Sequence, residues 1–180
     1  MKALVIYDSN CGNTQKIAET IAEGLGCNAV NTANVDPSNL VGYGLLVFGT
    51  PIIGWMPTER MQAFMAKIKT GQLNGVKATT FDTRVKLFIH GDAMNKLASS
   101  LKKLGADIII DPMPFYVAGP KDEPYLIDGE VEKAKSWASK IKKMILDLEG
   151  LVAEVEKEIK DGHISKKFDN APDFLDHLKS

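Results

Sequence analysis

The stretch YDSNCGNTQKIAETIAEGL, Tyr7 to Leu25, decides how the rest of the chain is read. It follows the apolar, β-prone run Ala3 to Tyr7 (ALVIY), the pattern of a strand covered on both faces. Immediately after the small polar loop, Ile17, Ile21 and Leu25 recur at i, i+4 and i+8 with Ala18 and Ala22 beside them, which is one helical stripe. Gly24 and Gly26 are expected to stop that helix. A strand that passes through a short polar loop straight into a helix is a ready anion site, because the first helical turn presents unpaired N–H donors and the positive end of the peptide dipole.

The alternation continues along the chain. Leu45 to Phe48 (LLVF) reads as a second buried strand, then comes the loop Gly49 to Pro57 and a helical pattern carrying Met61, Phe64, Met65 and Ile68. Val76 to Phe81 reads as a strand, and Leu97, Leu101 and Leu104 mark a helix closed by Gly105. Ala106 to Ile110 is a further strand, broken by Pro112 and Pro114 and resumed at Phe115 to Val117. Asn28 to Thr32 is a weak strand, and a long helix starts at Glu130. Strands separated by helices over this length imply an α/β fold, a doubly wound five-stranded parallel sheet with helices on both faces. Ligands of such sheets sit at the C-terminal ends of the strands, near the switch in strand order. The loops after Tyr7, Phe48 and Phe81 are therefore the candidates.

Composition narrows the function classes. The 180 residues suit one domain with an appendage, and 44% hydrophobic with 25% charged residues is ordinary for a globular chain. A net charge of −1 offers no field for nucleic acid or an anionic membrane, so neither is expected as a partner. Cys11 and Cys27 have neither metal-ligand spacing nor a disulfide framework, and the apolar N-terminal run is too short for a signal core or a membrane span. A cytoplasmic location is the simplest expectation. His90, His163 and His177 are scattered without a triad or metal pattern, and His90, following an apolar run, reads as structural.

The first loop, Ser9-Asn10-Cys11-Gly12-Asn13-Thr14, has small residues that let the backbone curl around an anion and side chains that add donors. The competing reading is a helix N-cap by Asn13 or Thr14 with no ligand. Several phosphate chemistries fail on named positions. No lysine follows Gly12 where a nucleotide-triphosphate loop needs one, and one glycine stands where a dinucleotide fingerprint needs three. A cysteine phosphatase built on Cys11 lacks an arginine before Arg60, and a phosphoacceptor built on Asp8 meets Gly49-Thr50-Pro51 where a second carboxylate belongs. The second loop, Thr50-Pro51-Ile52-Ile53-Gly54-Trp55, puts an indole between a glycine and two prolines, placed to cover a flat ligand or to plug the core under the loop. The third, Thr80-Phe81-Asp82-Thr83-Arg84, offers hydroxyls and an arginine to a heterocycle's polar edge, or an Asp82–Arg84 contact in solvent.

With these residues together, the chain resembles flavodoxins and flavodoxin-like domains over about Met1 to Leu148. Ser9-x-Cys11-Gly12-Asn13-Thr14 is similar to the family's phosphate loop [TS]-x-[TSC]-G-x-T, and Pro114-Phe115-Tyr116-Val117, Asp128-Gly129-Glu130 and Trp137-Ala138 look like one subgroup that shares Phe81-Asp82-Thr83-Arg84. The resemblance implies the strand order 2-1-3-4-5. It also implies FMN at the switch point, of which flavodoxin is itself the standard example. By the same resemblance Ser9, Asn10, Cys11, Gly12, Asn13 and Thr14 hold the FMN phosphate, and Thr50, Pro51, Ile52, Ile53, Gly54 and Trp55 wrap the isoalloxazine. Thr80, Phe81, Asp82, Thr83 and Arg84 line its other side, and the Gly54 peptide flips so that its carbonyl meets N5 of the reduced flavin. Glycine permits that flip because it tolerates positive φ.

The function implied is an FMN-bound electron carrier that works with redox partner proteins, the chemistry belonging to the cofactor and none of it to a catalytic side chain. The alternatives are an FMN-dependent NAD(P)H oxidoreductase acting on quinones or other small acceptors, and a non-redox binding module on the same fold. The chain departs from strongly acidic electron carriers in being nearly neutral. After the expected 1–148 FMN-binding domain, residues 149–180 form a helical extension. The apolar register Val131, Ala134, Ala138, Ile141, Ile145, Leu148, Val152, Val155 and Ile159 crosses Gly150 and reads as one long helix or as two helices sharing a seam, the break falling at Gly150, where glycine costs about 1 kcal/mol relative to alanine. With Phe168, Phe174, Leu175 and Leu178 beyond it, this segment is expected to support a homodimer or to fold back on its own domain.

Overall fold

The apolar runs pair as neighbouring parallel strands in a computed structural model that describes residues 1–86 and 91–160. Strand β1 (Ala3–Tyr7) lies between β2 (Asn28–Asn31) and β3 (Leu45–Pro51), and β3 pairs with β4 (Lys77–Val85). Beyond β4 the fifth position is shared by two pieces, β5 (Asp107–Ile108) and β6 (Met113–Ala118), both parallel to β4. The short β7 (Tyr125–Leu126) closes the edge antiparallel to β6. The order 2-1-3-4-5 is therefore present with its fifth strand divided, and the described residues form seven strands where five were expected. Pro112 supplies the physical reason: it lacks the N–H a ladder needs, so pairing lapses between Ile108 and Met113, while Pro114 lies within β6 opposite Asp82.

Helix α1 (Asn13–Leu25) covers one face of the sheet, α2 (Glu59–Met65) and α3 (Ala93–Lys103) the other, and α4 (Glu130–Lys160) follows β7. Leu4, Ile6, Leu46 and Phe48 point to α2 and α3, where Met61, Phe64, Leu97 and Leu101 meet them. On the opposite face Ile17 and Ile21 of α1 are fully buried, and Phe81, Phe115 and Trp137 pack edge to face with ring centroids 5.8–6.3 Å apart. Gly26, at φ +71°, ends α1. Gly24 instead lies inside the helix, and a Cβ there would come within 2.7 Å of the Ala138 Cβ, so its missing side chain is a close approach between helices.

Contacts divide the chain into two units, Met1–Ile141 and a second beginning at Lys142. Of the two readings of this register, helix α4 takes the one long helix, running through Gly150; a Cβ at that position would meet nothing. Residues 87–90 and 161–180 lie outside the described residues, and with them the expectations for His90, His163, His177, Phe168, Phe174, Leu175 and Leu178. No helix among the described residues is long and apolar enough to cross a membrane.

Candidate functional site

The β1–α1 junction determines one end of the site. The first turn of α1 receives no side-chain cap and holds no acidic residue; its N-cap is Gly12 at φ +83°, whose own N–H donates to Ser9 Oγ at 3.1 Å. The contrast is with α2 and α3, whose first turns are capped by Thr58 and Asp92. The alternative reading of the loop, an N-cap by Asn13 or Thr14, does not describe this helix. Asn13 turns outward and its Nδ2 donates to the Pro124 carbonyl at 2.8 Å, while the buried Thr14 hydroxyl pairs with the Thr83 hydroxyl at 2.7 Å. The loop is braced from below: Arg60 Nε donates to Asp8 Oδ1 at 2.9 Å, and the same guanidinium donates to Asn10 Oδ1. Donors with no partner of their own and no nearby carboxylate in the turn suit an anion.

The second wall follows β3. Thr50 is fully buried and its Oγ1 accepts from the Thr58 N–H at 3.2 Å, which ties the loop's exit to the start of α2. Between them Ile53 and Met56 exchange both backbone bonds, Ile53 N–H to Met56 O at 2.9 Å and Met56 N–H to Ile53 O at 3.0 Å. The two residues at the tip, Gly54 and Trp55, are at φ +53° and +72°. Two consecutive positive φ values across a two-residue hairpin are the signature of a type I′ turn. Gly54 accepts that conformation at no steric cost. Trp55, the only described residue other than glycine at positive φ, does not. Trp55 is 55% exposed beside an exposed Ile53, so an aromatic plug in the core is excluded.

The third candidate segment is not a loop. Thr79 to Arg84 lie inside β4, and the period-two alternation sends them to opposite faces. Phe81 is fully buried against Phe115 and Trp137, and Thr80 bonds the Met94 carbonyl at 2.8 Å, so both side chains are held within the fold. Asp82 is also fully buried. It pairs with Arg84 (Nε to Oδ1, 2.7 Å) and accepts from the Met94 N–H at 3.0 Å, in place of the solvated contact considered from sequence. Burial pushes the Asp82 carboxyl up from its ordinary value, and the bonds from Arg84 and Met94 pull against that shift. Of the five, Thr83 and Arg84 line a groove at the C-terminal end of the sheet. The expected flavin-lining stretch thus divides: Thr80, Phe81 and Asp82 stand deeper in β4, and Thr83 and Arg84 stand nearer its C-terminal end, where both faces of the strand meet the groove.

These walls enclose a groove of about 570 Å³. It brings together Ser9, Asn10, Cys11, Asn13 and Thr14 with Pro51, Ile52, Ile53, Gly54, Thr83 and Arg84. Gly12 stands at the α1 end of the groove as the helix cap, and Trp55 at the tip of the Ile53–Met56 turn.

The flavodoxin family model matches residues 5–137, the stretch that carries all of these walls. The chain belongs to the flavodoxin family. Among its relatives, an uncharacterized protein of Methanocaldococcus jannaschii is 30% identical over 79% of this chain and 99% of its own, and a flavodoxin of Maridesulfovibrio salexigens is 27% identical over 78% and 96%. The crystal structure of oxidised flavodoxin 1 from Bacillus cereus superposes with a TM-score of 0.68 at 20% identity, covering 79% of this chain and 98% of that one. Members of the family bind FMN as cofactor and transfer electrons to redox partner proteins.

The residues of this flavodoxin fit FMN. An uncapped, acid-free helix start suits the phosphate, and the groove leads from it to an apolar turn bearing the exposed Trp55. Sequence reasoning missed one wall. Gly119, Pro120, Lys121, Asp122 and Pro124, the connection from β6 to β7, close the groove opposite the Ile52–Gly54 turn, and Asn13 is bonded to that connection. A signal was present, since Gly119-Pro120 follows a strand at the same end of the sheet as the other loops. Among the described residues no cluster of His, Cys, Asp or Glu could hold a metal ion.

Proposed function

We propose that this protein carries electrons through FMN held in the groove, between redox partner proteins in the cytoplasm. The observation that supports the reading most directly is the start of α1: an uncapped, acid-free helix N-terminus, braced by Arg60 and Thr83, opening on a groove whose far wall is apolar. In this reading Ser9, Asn10, Cys11, Gly12, Asn13 and Thr14 hold the phosphate, and Pro51 to Trp55 cover the ring, with Thr83 and Arg84 beneath it. Thr50 holds the second loop from behind. Thr80, Phe81 and Asp82 act by fixing the strand on which Thr83 and Arg84 stand. Bound FMN supplies one-electron chemistry; the chain binds it, orients it and shields it from water.

Purified protein should take up FMN in one-to-one ratio, turn yellow and accept electrons stepwise in a reductive titration. A protein that stays colourless in excess FMN overturns the reading. Rapid NADH or NADPH oxidation by the isolated protein would replace the carrier with an oxidoreductase. The segment 149–180 is assigned to self-association, and a chain ending at Leu148 whose native mass equals one copy, beside a full-length chain of the same state, rejects that assignment.

A further inference from the structure

The Ile53–Met56 turn is held in an unfavourable shape, and something outside the turn must hold it. A bulky residue in the left-handed region costs on the order of 1–2 kcal/mol, so Trp55 at φ +72° persists only where its surroundings over-determine it. Two contacts from outside the turn do so. Gly91 lies so close that a Cβ there would be 2.5 Å from the Trp55 Cα. From the first turns of α3, Lys96 Nζ donates to the Trp55 carbonyl at 3.0 Å and touches Met56 Sδ at 2.8 Å.

The peptide that Lys96 holds is the one between Trp55 and Met56. The peptide before it, between Gly54 and Trp55, joins the two residues at positive φ. Rotating that peptide alone would convert a type I′ turn to type II′ and return Trp55 to negative φ, at a Gly54 geometry only glycine adopts with ease. Without an anchor on the Trp55 carbonyl, the strain at Trp55 could instead be released by moving the whole turn. We infer that Lys96 is a positioning residue for the cofactor loop: its ammonium fixes the Trp55–Met56 peptide against α3, maintains the strained turn, and confines any rearrangement to the Gly54–Trp55 peptide. The inference rests on the reading of this turn as the flavin wall.

The test compares wild type with Lys96→Met, which keeps the stem and removes the donor, and Lys96→Arg, which restores a donor. Amide hydrogen exchange in the FMN-free protein reads the turn directly, since the Ile53 and Met56 N–H groups close it. Loss of one charge-assisted bond should speed exchange at these two amides by about tenfold in Lys96→Met, with Lys96→Arg close to wild type and α3 amides such as Leu101 unchanged. In the FMN-loaded protein the one-electron midpoints should shift in Lys96→Met and return toward wild type in Lys96→Arg. Unchanged exchange at Ile53 and Met56 overturns the inference, as does acceleration that spreads equally through α3. If the wild type takes up no FMN, the proposed function fails, while the exchange measurement still decides the role of Lys96.

Discussion

Gly49→Ala is a small change with a large expected cost, and the structure gives the reason. Tyr7, Gly49, Phe81 and Met113 stand side by side in one row across β1, β3, β4 and β6. The Phe81 ring lies over Gly49, so a Cβ added there would fall 2.0–2.5 Å from three of its carbons. The ring cannot retreat, because it is fully buried with Phe115 and Trp137 packed edge-on against it. Overpacking a rigid core costs about 1–3 kcal/mol, and a site with no escape belongs at the upper end, about 3 kcal/mol. With a urea slope of about 2 kcal/mol per molar for a chain of this size, the unfolding midpoint of the FMN-free protein should fall by about 1.5 M. Phe81→Leu alone should cost about 1–2 kcal/mol through the cavity it leaves. In Gly49→Ala/Phe81→Leu the new methyl fills that space, so the double variant should be more stable than the sum of the singles by about 1–2 kcal/mol. A loss below about 0.5 kcal/mol for Gly49→Ala, or strict additivity in the cycle, would refute the claim that this glycine exists to seat the Phe81 ring.

Other substitutions separate stability from cofactor binding. Cys11→Asp places a carboxylate by the start of α1, so FMN affinity, followed by fluorescence titration, should drop at least tenfold, roughly, while apoprotein stability holds or rises by about 0.3–1 kcal/mol; Cys11→Ser should leave both near wild type. Trp55→Gly removes the strained indole, so apoprotein stability should stay within about 1 kcal/mol of wild type while FMN affinity falls by about tenfold. Asp82→Asn removes the nearer of two carboxylates facing the buried Arg84, Asp92 remaining at 3.8 Å, and should cost about 2 kcal/mol in urea unfolding, although Asp82 does not line the groove. Gly54→Ala meets no neighbour, so its thermal cost should be near 1 kcal/mol, with the signature appearing instead as shifted one-electron midpoints of bound FMN.

Much of this protein is written locally. The short β-prone runs at Ala3–Tyr7 and Leu45–Phe48 read as strands buried on both faces, and the stripe Ile17, Ile21 and Leu25 as a helix packed on them, because run length, β-propensity and side-chain periodicity are local properties. Their alternation implies the parallel sheet, and the sheet implies that the loops after β1 and β3 share one edge. The composition of the Ser9–Thr14 loop then points to phosphate. These inferences need only neighbours in sequence.

Tertiary structure decided what depends on partners far away in the chain. Whether Phe81 faced ligand or core turned on Gly49, 32 positions earlier, leaving space opposite it. Thr79 to Arg84, polar enough to pass for a loop, continue β4 because Met94, Ile110 and Thr14 satisfy their hydroxyls and carboxylate from other elements. The Gly119–Pro124 wall had no reason to count as part of the site until β6 docked beside β4 and carried it across from the Ile52–Gly54 turn. Trp55 at positive φ was invisible for the same reason, since local preference opposes it and contacts from Gly91 and Lys96 impose it. Sequence determined which elements form and where they converge; long-range packing decided which side chains face the groove, because only there do hydrogen-bond satisfaction and excluded volume outweigh local preference.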